Sequence, residues 1–260
     1  MKEAMQPLRG QHAVVTGGGS GIGAAIARLL ASSGAQVTLM GRDGERLLRQ
    51  AESMRDIGTV HVQRVDVTSP GSVAVAFDAA REHGAIDILV NNAGQAEAAP
   101  FAKTDFALWQ RMLDVNLTGV FLCTQAVLPG MLERHNGRVV NVASTAGQVG
   151  YAYVAAYCAA KHGVIGMTRS LALEVATRGV TVNAVCPGYT ETELLAQSIE
   201  KIVAQTARGE DEAREALLRS NPQRRFVTPE EVANAALWLC SPGSGAVTGQ
   251  SISISGGEVT

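Results

Sequence analysis

Thr16-Gly17-Gly18-Gly19-Ser20-Gly21-Ile22-Gly23 follows an apolar run at 12–16 and opens a stretch of helical period at 21–33. Strand, glycine turn and helix in that order is what a pyrophosphate needs. Glycines let the backbone approach the ligand, and a helix N-terminus offers unpaired N–H groups and a partial positive charge. The general dinucleotide fingerprint G-x-G-x-x-G is weak by itself. Here the spacing is T-G-x-x-x-G-x-G, and the flanking strand and helix argue against a merely flexible loop. Gly17, Gly19, Ser20, Gly21, Ile22 and Gly23 are therefore candidate cofactor-binding residues.

Outward from that turn, short apolar runs alternate with longer helical segments. Strand candidates lie at 12–16, 36–40, 60–64, 86–90, 138–143, 180–185 and 250–255. Helical candidates lie at 21–33, 43–56, 70–83, 104–134, 151–177 and 229–240. Such alternation calls for a parallel sheet covered on both faces, and near-continuous runs such as AVVT and IDILV suit strands buried on both sides. The fold class expected is α/β: a single-domain, Rossmann-like, doubly wound fold with a seven-stranded, mostly parallel sheet flanked by helices on both faces. No Pro/Ser-rich linker divides residues 1–260, which read as one domain. The segment 189–228 breaks the rhythm and is read as a substrate lid, the alternative being a solvated helical hairpin that serves only packing.

Composition narrows the function classes. A net charge of −2 leaves no electrostatic footprint for nucleic acid. The short basic cluster 134–138 reads as a solvated turn between helix and strand. Cys123, Cys158, Cys186 and Cys240 lie far apart with no C-x-x-C spacing, which argues against a zinc site or a disulfide framework. They read as reduced thiols filling small apolar spaces. Residues 1–10 lack the apolar stretch of a signal peptide, and no run of 18 or more apolar residues suggests a membrane span. A cytoplasmic location is expected.

Cofactor choice should be written at the end of the second strand, where NAD-selective sites carry an acidic residue for the ribose 2′-hydroxyl. This chain has Gly41 there, followed by Arg42. Without a carboxylate nothing repels a 2′-phosphate, and a guanidinium can pair with one. Asp43 is read as the cap of the next helix rather than as the acidic selector. NADP(H) is favoured, with NAD(H) as the alternative.

Ser144, Tyr157 and Lys161 make the spacing S-x12-Y-x3-K. Ser144 falls just after a strand, at the sheet edge where open α/β folds bind ligands. Tyr157 and Lys161 are four apart on a helical segment and share a face. A nearby ammonium favours the phenolate and should lower the tyrosine pKa, making Tyr157 a usable acid/base. Ser144 can donate to a substrate oxygen where negative charge develops. No metal is needed for such chemistry.

Taken together, the chain resembles the short-chain dehydrogenase/reductase family from about Gln11 to Gly257, and within it the ketoreductase branch that includes 3-oxoacyl-thioester reductases. The resemblance rests on Thr16–Gly23, Asp66, Asn91-Asn92-Ala93-Gly94, Asn116, Ser144, Tyr157-Cys158-Ala159-Ala160-Lys161 and Pro187–Thr192. It implies that Tyr157 is the general acid/base and that Lys161 tunes it while holding the nicotinamide ribose. It also implies that Ser144 orients the carbonyl and that Asn116 anchors a water relaying protons through Lys161. Asp66 and Val67 would flank the adenine, and Asn92, Ala93 and Gly94 the adenosine side. Pro187, Gly188, Thr190 and Thr192 would meet the nicotinamide end.

The expected activity is NADP(H)-dependent hydride transfer between nicotinamide and a ketone or secondary alcohol, with a free or CoA-linked 3-oxo or 3-hydroxy substrate. Gln148, Tyr151 and Tyr153 are candidate substrate-binding residues, with Ser144 and Tyr157. Leu173 stands where that branch often has arginine, which counts against docking of a carrier protein; Arg134 is the remaining candidate contact. Lid cations Lys201, Arg208, Arg214 and Arg219 could meet coenzyme A phosphates, although interspersed acids favour a solvated helix. The alternatives are an NAD-linked 3-hydroxyacyl-CoA or cyclic-alcohol dehydrogenase and, more distantly, a non-catalytic nucleotide sensor. By resemblance, the long helices and the C-terminal strand would pair between subunits of a homotetramer.

Overall fold

The computed structural model describes residues 6–206 and 209–260. Seven strands form its centre. They are β1 (His12–Thr16), β2 (Gln36–Gly41), β3 (Val60–Arg64), β4 (Ile88–Asn91), β5 (Gly137–Val142), β6 (Val180–Pro187) and β7 (Ser251–Ile254). The inner ones (β1, β2, β4, β5 and β6) are mostly buried on both faces, and β3 and β7 at the edges only partly so. The seven make one sheet in the order β3-β2-β1-β4-β5-β6-β7, every neighbouring pair parallel. The order reverses between β1 and β4. At such a switch point the connections leave the C-terminal strand ends in opposite directions and open a crevice.

Helices α1 (Gly21–Ser32), α2 (Gly44–Glu52) and α9 (Pro229–Cys240) cover one face, enclosing Val15, Ile26, Leu30, Leu39, Leu47 and Leu239. On the other face α3 (Pro70–Arg81), α5 (Gly119–Glu133) and α6 (Ala155–Glu174) enclose Phe77, Leu89, Val127, Met131, Ala172 and Val182. Side chains punctuate these helices as the sequence requires. Asp43 accepts from Arg46 N at 3.0 Å and so caps α2. Thr228 and Glu231 form a reciprocal capping box at the start of α9. All four cysteines are buried and unpaired.

Four expectations change. The helix read at 104–134 is α4 (Phe106–Leu113), a π turn (Asp114–Thr118) and α5. Together they make a 28-residue helix long and apolar enough to cross a membrane, although no such run was expected. Only its inner face, with Met112, Val120, Cys123, Val127 and Met131, is buried within the fold. The helix read from 151 starts at Ala155, because Tyr153 takes a left-handed conformation (φ +70°) and its carbonyl accepts from Ala99 N at 2.7 Å. Arg134 donates to Ile86 O at 2.8 Å and lies 3.5 Å from Asp87. It thus braces the N-terminal edge of the sheet, opposite the crevice.

The segment 189–228 carries α7 (Glu193–Gln205) and α8 (Glu210–Leu218), which enclose Leu195, Ile199, Ala213 and Phe226. A bridge between Thr190 and Val227 joins its two ends. The Arg214 guanidinium stands 5.0 Å from the Phe226 ring centroid. Arg208, one of the lid cations, lies outside the described residues.

Candidate active site

The crevice is built around Thr16. Its Oγ1 accepts from Asn92 N at 3.0 Å and Ala93 N at 3.1 Å, while Asn92 Nδ2 donates to Thr16 O and Gly17 O, each at 3.1 Å. The C-terminal ends of β1 and β4 are thereby tied across the switch point. Asn91 points inward instead, donating to Thr124 Oγ1 and Asn141 Oδ1. Gly17 is left-handed (φ +64°), and a Cβ at Gly23 would overlap Gly17 O and Asn92 Nδ2. The Ser20 side chain makes no capping bond, so the first-turn N–H groups of α1 face the turn unpaired by it. This cradle, closed to side chains and lined by amide donors, fits a pyrophosphate.

Other residues expected to hold a dinucleotide border the same crevice. Arg42 is exposed at the end of β2, with its carbonyl accepting from Arg64 Nε at 3.3 Å. Asp66 Oδ1 accepts from Thr68 N (3.0 Å) and Thr68 Oγ1 (2.8 Å), and these bonds, with the Arg42 charge, hold its carboxyl below the ordinary range. Val67 is buried against Gly119. Thr190 Oγ1 donates to Gly188 O at 2.9 Å, and Thr192 caps α7. The Thr192 methyl lies 3.2 Å from where a Cβ of Gly21 would stand, so the lid begins against the phosphate turn.

Ser144 follows β5 and caps the short turn Thr145–Gly147, its Oγ accepting from Ala146 N at 3.1 Å. Tyr157 and Lys161 stand one turn apart in α6, and Tyr157 hydrogen-bonds Ser144. The buried Lys161 Nζ donates to Val142 O at 2.7 Å and lies 5.7 Å from the Tyr157 ring centroid. Burial decides both ionisations: it pushes the Tyr157 phenol up to about 12 and Lys161 down to about 8. The expected lowering of Tyr157 by Lys161 is therefore overridden, because the ammonium is turned towards a strand carbonyl and the phenol is desolvated.

Asn116 lies fully buried in the π turn, a distortion found often at functional positions. Its Nδ2 donates to Gln95 O (2.9 Å) and Met112 O (3.0 Å), and its Oδ1 accepts from Gln95 N (3.2 Å). A Cβ on Gly94 would stand 2.8 Å from Asn116 Oδ1 and 3.8 Å from Lys161 Nζ, so both side chains converge there.

The proposed substrate walls divide. Tyr151 stays close, with its hydroxyl 2.9 Å from Thr145 Oγ1. Tyr153 is 67% exposed, at the rim. Gln148 is engaged elsewhere: its Nε2 donates to Ser251 O at 3.3 Å and its Oε1 accepts from Ser253 Oγ at 3.0 Å, bracing β7.

Three residues escaped the sequence reading. Tyr189 meets Tyr151 edge to face, centroids 6.5 Å apart. Arg46, four residues past Arg42, donates to Ser20 Oγ at 3.3 Å and pairs with Glu193 Oε2 at 2.8 Å, linking phosphate turn and lid. Glu258 reaches the cleft from the C-terminal turn. A tyrosine directly after Pro187-Gly188 was the only one of these signals visible in the chain.

A family model described as short chain dehydrogenase matches residues 11–202. The 3-oxoacyl-acyl-carrier-protein reductase FabG of Vibrio cholerae is 40% identical over 251 residues, 96% of this chain and 98% of that protein. The cis-4-hydroxycyclohexanecarboxylate dehydrogenase of Sinomonas cyclohexanicum is 44% identical over 248 residues, 94% of this chain and 95% of that protein. Among solved structures, a variant of the actinorhodin polyketide ketoreductase with NADPH superposes with a TM-score of 0.92 at 40% identity, covering 95% of this chain and 97% of that one.

Proposed function

This chain belongs to the short chain dehydrogenase family, and from that premise we propose that it is an NADP(H)-dependent ketoreductase that interconverts a ketone, such as a 3-oxoacyl thioester, and its secondary alcohol. One observation carries the reading: Ser144, Tyr157 and Lys161 converge at the C-terminal edge of the sheet, beside a turn shaped for a pyrophosphate. Relatives and a solved neighbour with ketoreductase names, the last with NADPH, support the same activity.

The phosphate turn 17–23 would hold the pyrophosphate, Arg42 the 2′-phosphate, Asp66 and Val67 the adenine, Asn92, Ala93 and Gly94 the adenosine, and Lys161 the nicotinamide ribose. Pro187, Gly188, Thr190 and Thr192 would border the nicotinamide. When bound, NADPH supplies the two electrons and the hydrogen that reduce the carbonyl carbon. Ser144 donates to the carbonyl oxygen and polarises it. Tyr157, neutral at physiological pH because burial holds its proton, donates that proton to the developing alkoxide. Lys161 re-protonates Tyr157, and Asn116, converging with it at Gly94, positions the water that reloads Lys161.

The decisive experiment follows oxidation of NADPH and NADH against acetoacetyl-CoA, a 3-oxoacyl carrier-protein mimic, a cyclic diketone and a steroid ketone. Turnover with NADPH preferred is the expected result. Preference for NADH overturns the role of Arg42, turnover of cyclic ketones alone replaces the thioester reading, and turnover of none defeats the ketoreductase reading. The same reading includes a homotetramer, supported by exposed apolar side chains on α4, α5 and α6. Phe106, Phe121 and Leu173 are 76%, 46% and 81% exposed. A reducing, cytoplasmic setting suits the four unpaired thiols.

A further inference from the structure

Beyond β7 the chain folds back in a built turn. Glu258 N donates to Ser255 O at 3.2 Å, and Val259 N to the buried Ser255 Oγ at 3.2 Å. Asn221 and Pro222 close against Gly256 and Gly257. The turn aims the Glu258 carboxylate inward. Its Oε1 accepts from Ser220 Oγ at 2.6 Å, and its Oε2 lies 3.0 Å from where a Cβ of Gly188 would stand. The same carboxylate is in hydrogen-bonding reach of the Tyr151 hydroxyl and faces Tyr189. Tyr151 in turn contacts Thr145, the residue after Ser144. Glu258 thus stands between the two walls of the cleft, the Pro187-Gly188 turn and the Tyr151 loop. Among the described residues no lysine or arginine forms an ion pair with it.

We propose that Glu258 is a specificity-determining residue that filters substrates by charge, admitting ketones that are neutral around the carbonyl and excluding free 3-oxo carboxylates. This rests on the ketoreductase reading and narrows it. In a free 3-oxo acid the carboxylate is two carbons from the reacting carbonyl, so it must enter the cleft with it. There it meets a second carboxylate that no lysine or arginine among the described residues pairs with, while Lys161 is turned to its strand carbonyl, in a site partly shielded from water. An ester, a thioester or a cyclic ketone brings no charge to that point. The phosphates of a coenzyme A carrier lie many bonds further out. Selection by repulsion of the wrong substrate needs no new contact with the right one.

The test compares kcat/KM for ethyl acetoacetate and for acetoacetate, with NADPH and the full chain. The wild type should prefer the ester by about tenfold or more, the scale of one like-charge contact in a partly screened site. Glu258→Gln should shrink that preference by about tenfold, chiefly through the KM of acetoacetate. Glu258→Asp, which keeps the charge, should retain it. A preference that Glu258→Gln leaves unmoved overturns the proposal. The wild type alone supplies a second check: acetoacetate should inhibit ester reduction far more weakly than the neutral diketone acetylacetone, and equal inhibition also overturns it. Absence of turnover with every ketone, NADPH still binding, would defeat the ketoreductase reading itself rather than the filter alone.

Discussion

At the residue scale, burial disfavours the charged form of two side chains in the candidate site. Tyr157 is held protonated to about 12 and Lys161 is eased down to about 8, so at neutral pH both are protonated, as the proposed relay needs to deliver its one proton per reduction. The sign follows directly. Reductive kcat/KM should be flat below about 8 and fall above it as Lys161 loses its proton, whereas the oxidative rate should rise through the same range. A reductive profile flat across that range would remove Lys161 from the relay. Tyr157→Phe should bind NADPH normally and lose about 10²-fold or more in kcat, since the proton donor is gone; near-normal turnover would reassign the acid. Arg42 forms no ion pair among the described residues and stands at the end of β2. Arg42→Ala should therefore weaken NADPH by about tenfold or more with little change for NADH, measured by fluorescence titration. Equal losses would move the 2′-phosphate elsewhere, with Arg46 and Arg64 the nearest guanidinium candidates.

At the element scale, the contact between β1, β4 and α1 is a tight geometric demand. Gly23 sits where a methyl group would overlap the Gly17 carbonyl and the Asn92 amide. Gly23→Ala should lower stability by about 1–3 kcal/mol through overpacking and should also weaken NADPH, because the same turn is proposed to hold the pyrophosphate. Thermal unfolding and cofactor titration read the two effects. A variant that melts and binds like the wild type would show that the turn yields more easily than its packing implies. The π turn at Asp114–Thr118 is the second such device. One residue of extra winding directs Asn116 into the crevice from a helix whose regular period reads as uninterrupted.

For the whole molecule, the proposed association would use the apolar side chains left exposed on the helices. Leu173 on α6 and Phe121 on α5 are exposed although each helix packs its inner face against the sheet. Phe121→Glu and Leu173→Glu, tested separately, should each reduce the assembled mass in sedimentation, and fully active tetramers of both would defeat that assignment. Trp238 is half exposed while Cys240 is core, so the last helix divides between these two roles.

Local chemistry made much of this legible in the chain. Strands buried on both faces must be continuous apolar runs, and a phosphate turn must carry glycine. Ser144, Tyr157 and Lys161 fall within a single strand–turn–helix span whose spacing alone brings them together. Asp43 could be read as a cap for the same reason, its partner being only three residues away. What tertiary structure alone decided depends on distant partners or on burial. Arg46 finds Glu193 across 147 residues of sequence, and Glu258 reaches Tyr151 from the opposite end of the catalytic region. Gln148 turns to β7 because Ser251 and Ser253 offer partners there. The ionisation of Tyr157 and Lys161 belongs to the same class: spacing places the pair, but desolvation by the surrounding fold sets their protons.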